Sequence, residues 1–362
     1  MNRNSSIFSS SLYVRRFILT AAGLLSVVIL FVVIVDPNNT LALSPPLERY
    51  PAATNQRFSY PSIARSGEFD SLVLGTSTTR MLEPANLNKN LKVRLANLSM
   101  NSATWWEQEQ IFNLFLRHHT QPRLIIWGID TIWCSPEKIG PRLTPRKFPR
   151  WLYDENKWND YLHLLNFKTL ERAGKQLGIL LGLRQPNYGR DGYRSLNKKG
   201  TPYDLAKARR KIYGQTEPVA PAKALDRPSI DAVTRKNWQF PNLKTLDRLI
   251  SKTDENTRVV LMMVPYHQNS LGPPNGPTML KYNECKKRVF KLSDRFQNTD
   301  VIDFMFRSSF TSEDRNYWDP LHFNEQGAQQ IENALVDFIA KGKTNSPIYR
   351  TSLTPRQADD KS

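Results

Sequence analysis

The sequence predicts an α/β fold built on a parallel sheet of five strands, with an apolar helix ahead of it near the N-terminus. Short apolar runs alternate with longer segments whose apolar residues recur every three or four positions, a pattern typical of strands joined by amphipathic helices. The runs are almost continuously apolar, as expected for strands that helices cover on both faces. The chain has 362 residues, of which 40% are hydrophobic, so it can bury a large core.

The N-terminal helix is predicted to cross a membrane. Residues 1–16 end in two arginines, and residues 17–35 carry no charge. A helix of about 19 residues at ~1.5 Å each spans about 28 Å, close to the ~30 Å of a hydrocarbon core. The basic flank predicts a cytoplasmic N-terminus with the rest of the chain outside. A cleavable signal peptide is the alternative, but this stretch exceeds the ~7–15 residues of a signal core, so an uncleaved anchor is favoured.

A folded domain is predicted over residues 66–342, after a linker at 36–65 that contains several prolines. Strands are predicted at 72–75, 92–98, 123–128, 258–265 and 300–304. Helices are predicted at 104–119, 242–252 and 279–296, and a last one begins at Asn324, a good N-cap, and ends at Gly342. This order of elements favours parallel strands with right-handed crossovers.

Residues 133–238 interrupt the alternation and are predicted to form an insertion, with a helix near 160–183, that covers or flanks the functional site. The insertion carries two basic stretches, at 141–150 and 190–211. We interpret them as solvated surface in preference to a platform for an anionic substrate or headgroup. The polar residues 343–362 are predicted to be a disordered tail.

The net charge of +18 favours acidic partners, such as anionic headgroups, nucleic acid or uronate-rich glycans. No zinc-finger, RRM or helix-turn-helix pattern supports nucleic acid. Cys134 and Cys285 lie far apart in the sequence, so two unpaired thiols are favoured over a disulfide, which stays possible outside the cytosol. No His, Asp or Glu residues have a metal-ligand spacing, so neither a metal nor a cofactor is predicted. His267 follows the fourth predicted strand at the carboxyl edge of the sheet, and we interpret it as a surface loop histidine in preference to a residue that lines the pocket.

Candidate catalytic residues lie near the two ends of the domain. Ser77 follows the first predicted strand in the turn Gly75-Thr76-Ser77, at the carboxyl edge of the sheet, where open α/β sheets bind their ligands. Asp319 and His322 lie three residues apart before the last helix. A serine hydroxyl becomes a nucleophile when an imidazole takes its proton, and a carboxylate fixes the tautomer of that imidazole. We therefore expect Ser77, His322 and Asp319 to meet in the folded chain as a catalytic triad.

These motifs resemble the sequence blocks of the SGNH, or GDSL-type, hydrolase superfamily. The resemblance covers scattered blocks over roughly residues 70–340. It implies a three-layer α/β/α, flavodoxin-like fold, in which Ser77 is the nucleophile, His322 the general base and Asp319 its partner. Backbone N–H groups would then stabilise the oxyanion, with those of Ser77 and Ser102 as candidates.

The middle two blocks depart from the family pattern. The second block usually reads Asn-x-x-x-x-Gly-x-Thr, and here Ser102 stands at the glycine position of residues 97–104. In the third block, Asp130 stands where the family has an asparagine that donates to the oxyanion. An ionised carboxylate there would repel the oxyanion. We therefore expect that Asp130 is protonated, turned away or replaced by a donor such as Asn101, or else that the enzyme is impaired.

The resemblance implies a membrane-anchored, extracytoplasmic serine esterase or O-acyl (acetyl) transferase that acts on a cell-envelope polysaccharide. Similar SGNH-like proteins, among them alginate O-acetylation proteins, modify bacterial envelope glycans beside a membrane-bound O-acyltransferase, so such a partner is implied here. The implied location is the inner membrane, with a single span and the C-terminal domain in the periplasm. The alternative is a non-catalytic glycan-binding or assembly protein on the same scaffold.

Overall fold

The computed structural model describes residues 4–195, 202–342 and 346–353, with side chains from residue 10 onward. It confirms the α/β class and the parallel sheet of five strands. In chain order the elements are α1 (Asn4–Val35), α2 (Gln56–Arg65), β1 (Ser71–Leu74), α3 (Pro84–Leu91), β2 (Leu95–Asn97), α4 (Trp105–His118), β3 (Leu124–Ile129), α5 (Phe167–Leu180), α6 (Leu205–Tyr213), α7 (Ala232–Asn237), α8 (Pro241–Ile250), β4 (Arg258–Met263), α9 (Gln268–Leu271), α10 (Pro277–Ser293), β5 (Thr299–Asp303) and α11 (Glu325–Lys341), with 3₁₀ helices at Arg150–Tyr153, Asn159–His163 and Asp314–Asn316.

The strand order is β2-β1-β3-β4-β5, and every neighbouring pair is parallel. Leu72 of β1 pairs with Ala96 on one side and with Ile125 on the other. The connection from β1 to β2 runs in one direction along the sheet and that from β2 to β3 runs in the opposite direction. Right-handed crossovers therefore place α3 and α4 on opposite faces. The carboxyl ends of β1 and β3 border the point where the order reverses, which is where such sheets form a crevice.

Local capping explains why two predicted helices begin where they do. Thr104 accepts a hydrogen bond from the Glu107 N–H, and the Glu107 carboxylate accepts one from the Thr104 N–H, which is a complete capping box at the start of α4. Asn324 accepts from the Gly327 N–H at 2.9 Å and caps α11. Both caps satisfy N–H groups that the first turn of a helix leaves without partners.

The chain divides into two compact units. One contains the residues up to 62 together with 148–190, and the other contains 63–147 together with the residues from 191 onward. The predicted insertion is therefore shared between the units, and its central part belongs with α1. The predicted helix near 160–183 is a 3₁₀ turn followed by α5.

The predicted linker is packed structure rather than an extended tether. The Arg49 side chain is 8% exposed, and its guanidinium donates to the carbonyl oxygens of Ile34 and Val35, each at 2.8 Å. These carbonyls belong to the last turn of α1, where the carbonyls of a helix run out of helical partners. Arg49 also donates to the Ser44 hydroxyl at 2.7 Å, so the chain after α1 folds around the end of that helix. The prolines that suggested a linker occur instead in this compact segment.

α1 begins earlier than the predicted span, so the predicted cytoplasmic segment is helical from residue 4, and residues 1–3 lie outside the described residues. Residues 10–35 of α1 are long and apolar enough to cross a membrane, with a mean hydropathy of 3.0 over their most apolar window. Signal sequences near an N-terminus share this property.

Part of the predicted disordered tail is ordered. Arg350 pairs with Asp303 at the end of β5 in an antiparallel bridge, and Tyr349 is buried against Phe304 and Phe338. The aromatic side chain of Tyr349 offers enough apolar area to hold this stretch on the domain. Residues 343–345 and 354–362 of the predicted tail lie outside the described residues.

Cys134 and Cys285 form a disulfide, so the expectation of unpaired thiols is wrong. Cys134 follows β3 and Cys285 lies in α10, 151 residues later, yet their Cα atoms are 5.4 Å apart. No local pattern in the sequence reveals this proximity, because the packing of α10 beside the sheet creates it.

Reducing this disulfide is expected to lower the free energy of unfolding by about 2–5 kcal/mol, because the bond closes a long loop in the unfolded chain. The measurement is thermal unfolding of the full-length protein in detergent, with and without a thiol reductant. A Cys134→Ser/Cys285→Ser double variant should start at the lower stability and not respond to the reductant. Equal stability of oxidised and reduced wild type would contradict the expectation.

Candidate active site

Ser77 lies on a tight turn at the carboxyl end of β1. Gly75 has a φ of 149°, and a side chain there would collide with Thr79. A side chain at Gly128 of β3 would collide with Thr79 as well, so the two glycines make room for it. Between Ser71 and Leu82 every residue is buried except Ser77. The turn therefore leaves the Ser77 side chain partly exposed to solvent while the residues on either side of Ser77 are buried.

The structure brings Ser77, His322 and Asp319 together in one chain of hydrogen bonds. Ser77 Oγ lies 2.7 Å from His322 Nε2, although 245 residues separate them in sequence. His322 Nδ1 lies 2.8 Å from Asp319 Oδ1 and 2.9 Å from Oδ2. Asp319 Oδ1 also accepts from the N–H groups of Leu321 and His322, at 2.9 and 3.0 Å. A single short loop thus aligns the carboxylate with the imidazole.

The charge state of Asp319 follows from these contacts. Burial pushes its pKa upward, but the hydrogen bond and charge interaction with His322 and the two backbone N–H donors together hold the pKa below its usual range. An ionised carboxylate only accepts hydrogen bonds, so Nδ1 of His322 carries the proton in the neutral ring. Nε2 is then the acceptor that faces the Ser77 hydroxyl.

Asp130 is turned into the protein rather than aimed as a hydrogen-bond donor. Its Oδ2 accepts from the Thr76 hydroxyl, and its Oδ1 accepts from the Ile132 N–H at 3.0 Å. Burial raises the pKa of Asp130 to about 6, against the lowering effect of hydrogen bonds from Thr76, Ile132 and Thr78. Of the expected alternatives for Asp130, the geometry favours the one in which it is turned away. Its carboxylate holds Thr76, the residue before Ser77.

The sign of this pKa shift gives a stability prediction. The folded-state pKa of Asp130, about 6, lies above its ordinary 3.8, so the folded protein binds this proton more tightly than the unfolded chain does. Folding stability should therefore fall as the pH rises through about 4 to 6, by about 3 kcal/mol from this group, and the loss should persist above that range. Asp130→Asn should remove this slope. The measurement is thermal unfolding of both proteins between pH 4 and 8, and parallel curves would refute the shift.

The loop after β2 borders the serine. The Met100 N–H donates to the Gly75 carbonyl at 3.1 Å, and the Thr79 hydroxyl donates to Ser99 Oγ at 2.8 Å. Ser102 has a φ of 51°, a left-handed conformation that favours glycine. Among the described residues, neither the Ser77 N–H nor the Ser102 N–H donates to a protein acceptor. Both are therefore candidate donors to a ligand oxygen.

Arg80 is a candidate residue that the sequence analysis missed. Its side chain is buried, with 5% of the residue exposed, and its Nη1 donates to Asn101 Oδ1 at 2.7 Å. No carboxylate among the described residues pairs with it. Arg80 thus orients the Asn101 amide within the loop that carries Ser102. In the sequence, Arg80 stands out only as the one charged residue between positions 71 and 82, and this does not reveal its partner.

A polar cluster supports the loop that carries Asp319 and His322. Asp314 accepts from Arg209 Nε and from the Tyr213 hydroxyl of α6, each at 2.7 Å. The prediction that His267 lies on the surface is wrong, because this residue is fully buried. Its Nε2 lies 3.2 Å from Asp314 Oδ1. Burial lowers the pKa of His267. The backbone N–H of His267 donates to the Pro320 carbonyl at 3.0 Å. Pro320 lies between Asp319 and His322, so this histidine supports their loop.

Within the described parts of the chain, no group of three His, Cys, Asp or Glu side chains is arranged to share a metal ion. Comparison with known proteins finds no protein-family model and no curated protein that matches this chain.

Proposed function

We propose that this chain is a membrane-anchored serine esterase or O-acyl (acetyl) transferase of the SGNH type, which acts outside the cytoplasm on a cell-envelope polysaccharide. One observation carries the proposal: Ser77 Oγ lies 2.7 Å from His322 Nε2, and the other ring nitrogen of His322 contacts the Asp319 carboxylate. This is the arrangement of a nucleophile, a base and an orienting acid that acyl transfer requires.

The proposed reaction begins when His322 Nε2 takes the proton of Ser77 as its oxygen attacks the acyl carbon of an ester. The oxyanion that forms accepts hydrogen bonds from the N–H groups of Ser77 and Ser102. His322 then returns the proton to the alcohol that leaves, and an acyl-Ser77 ester remains. Water attacks this ester in an esterase and a sugar hydroxyl attacks it in a transferase, and His322 again takes the proton. His322 then passes that proton to Ser77 Oγ as the bond between Oγ and the acyl carbon breaks, which releases the acid or the new sugar ester and restores the serine. Asp319 stabilises the imidazolium throughout.

Further observations support the fold family, the location and the substrate class. The strand order β2-β1-β3-β4-β5 is the flavodoxin-like order, and the resembling blocks lie at the carboxyl edge of the sheet. The Cys134–Cys285 disulfide suits an oxidising compartment such as the periplasm, and α1 is long and apolar enough to hold the chain in the inner membrane. The charge of +18 favours an anionic glycan. By the resemblance, a membrane-bound O-acyltransferase is the proposed partner.

The proposal is tested by labelling the full-length protein in detergent with a serine-reactive fluorophosphonate. Wild type should be labelled, and Ser77→Ala and His322→Ala should not. Ser312→Ala and His118→Ala, which change exposed residues, are matched controls and should label like wild type. An unlabelled wild type with an intact fold would favour the glycan-binding alternative. Assays with acylated sugars and with short-chain lipid esters would separate a glycan substrate from a lipid.

A further inference from the structure

The segment from residue 158 to 183 exposes an unusual number of large apolar side chains. Leu162 is 83% exposed, Leu183 81% and Phe167 77%. Soluble proteins seldom leave such side chains grouped in water, and a group of them marks a surface that contacts a partner or a membrane. We call five of these exposed residues the α5 apolar face: Leu162, Phe167, Leu170, Leu177 and Leu181.

Four of these residues, the last of which directly follows α5, lie on one side of this helix. Phe167, Leu170, Leu177 and Leu181 follow one another at steps of three, seven and four residues, which at ~3.6 residues per turn places them within an arc of about 80°. The charged residues of α5 lie on another side, where Glu171 pairs with Lys168 and Lys175 at 3.0 and 2.5 Å. The helix is therefore amphipathic, and its apolar side is exposed rather than turned into a core.

A third side of this segment packs against the end of α1. Ala173 of α5 and Leu164 before it are buried in one cluster with Val32 and Val35. The Tyr161 hydroxyl accepts from the Leu43 N–H at 2.8 Å, just past α1. Val32 and Val35 belong to the last turn of α1, so at ~1.5 Å per residue these contacts lie within about 5 Å of its end. The same compact unit thus holds the α5 apolar face at the level where α1 ends.

We propose that the α5 apolar face is a membrane-contact surface that inserts between the headgroups and acyl chains of the bilayer that α1 crosses. The proposal rests on α1 remaining in the membrane, as the proposed function assumes. Lipid is the occupant that fits, because the face adjoins the end of a membrane-spanning helix and the charged side of α5 can face water. Trp158 is 62% exposed and stacks with Tyr161 at 5.8 Å, an aromatic pair typical of a membrane interface.

The test measures which solvent surrounds each position of the full-length protein in nanodiscs of phosphatidylcholine and phosphatidylglycerol. Single cysteines replace Leu162 and Phe167 on the apolar face, Lys168 on the charged side and the exposed Val233 of α7. Each carries an environment-sensitive fluorophore, and the native cysteines do not react because they form a disulfide. Leu25→Cys in α1 reports whether that helix lies in the bilayer. The quenchers are a nitroxide on the lipid acyl chain and iodide in the water.

Probes at 162 and 167 should be quenched several-fold more by the lipid nitroxide than those at 168 and 233, and iodide should give the reverse order. If the probe at 25 meets lipid while those at 162 and 167 meet only iodide, the membrane contact of α5 is refuted and the anchor stands. If the probe at 25 also meets water, the anchor itself is refuted. Probes at 162 and 167 shielded from both quenchers would indicate a protein on this face, such as a second copy, and would overturn the proposal.

Discussion

Replacing Ser77 with alanine is expected to lower kcat for ester cleavage by about 10³- to 10⁶-fold and to leave KM nearly unchanged. The hydroxyl that forms the acyl-enzyme is lost, while the surrounding turn is retained because Ser77 is its one partly exposed member. The measurement is hydrolysis of a chromogenic acyl ester by the full-length protein in detergent.

Ser312→Ala is the matched control, since Ser312 is exposed and its hydroxyl donates to the Ser309 carbonyl at 3.3 Å, and it should retain wild-type kcat. A Ser77→Ala protein that cleaves the ester at the wild-type rate would show that the activity belongs to another group.

Asp319→Asn is expected to lower kcat by about 10⁴-fold, because His322 loses the carboxylate that fixes its tautomer and stabilises its imidazolium. Oδ1 of Asp319 accepts from two backbone N–H groups, so an asparagine would keep its oxygen there and place its NH₂ group at the Oδ2 position. That NH₂ group would face His322 Nδ1, now 2.9 Å from Oδ2. Nδ1 also lies 2.8 Å from the Oδ1 position, so the ring could either donate to the asparagine oxygen or accept from its NH₂ group. In the accepting form the ring proton is on Nε2, which then cannot take the proton of Ser77, and in the other form the imidazolium lacks the carboxylate charge that stabilises it.

The control for this variant is Asp337→Asn, which changes an exposed carboxylate of α11 that pairs with Lys341 at 2.7 Å. It should keep wild-type kcat. Asp319→Asn should lose activity while it keeps the fold of the wild type, which circular dichroism checks. Equal rates for Asp319→Asn and wild type would mean that the carboxylate plays no part in orienting the base.

The strands and most of the helices are predictable because their signals are local. β3 and β4 are continuous apolar runs, and all but one of their residues are buried in the sheet. The starts of α4 and α11 are marked by side-chain caps, in which the capping residue and its N–H partner lie three residues apart in sequence. By contrast, α3 has eight residues and two buried side chains, so it offers too little periodicity to be recognised.

The remainder depends on contacts between residues that are distant in sequence. The segment after α1 gains its structure from Arg49, whose acceptors include the end of that helix. The disulfide and the burial of His267 arise in the same way, from packing across 151 and 47 residues. A single sequence shows the residue types in such contacts but not the partners.

The candidate site also contains residues that the sequence reveals and residues whose roles depend on distant contacts. Ser77, Asp319 and His322 could be named from chemistry and spacing, and the structure brings them within hydrogen-bonding distance. The orientation of Asp130 could not, because the Thr76 hydroxyl that holds it is 54 residues away. Arg80 escaped notice because nothing in its neighbourhood distinguishes an arginine that contacts Asn101 from one in water.

The most direct measurement is the mass of the full-length protein during turnover of an activated acyl ester. If Ser77 attacks the ester, wild type should gain the mass of one acyl group, peptide mapping should locate that group on Ser77, and hydroxylamine should remove it. His322→Ala should gain it far more slowly. The reaction is quenched in its steady state under conditions that preserve esters. The proposed mechanism would be contradicted if wild type cleaves the ester while the acyl group lies on another residue, or while Ser77 carries none.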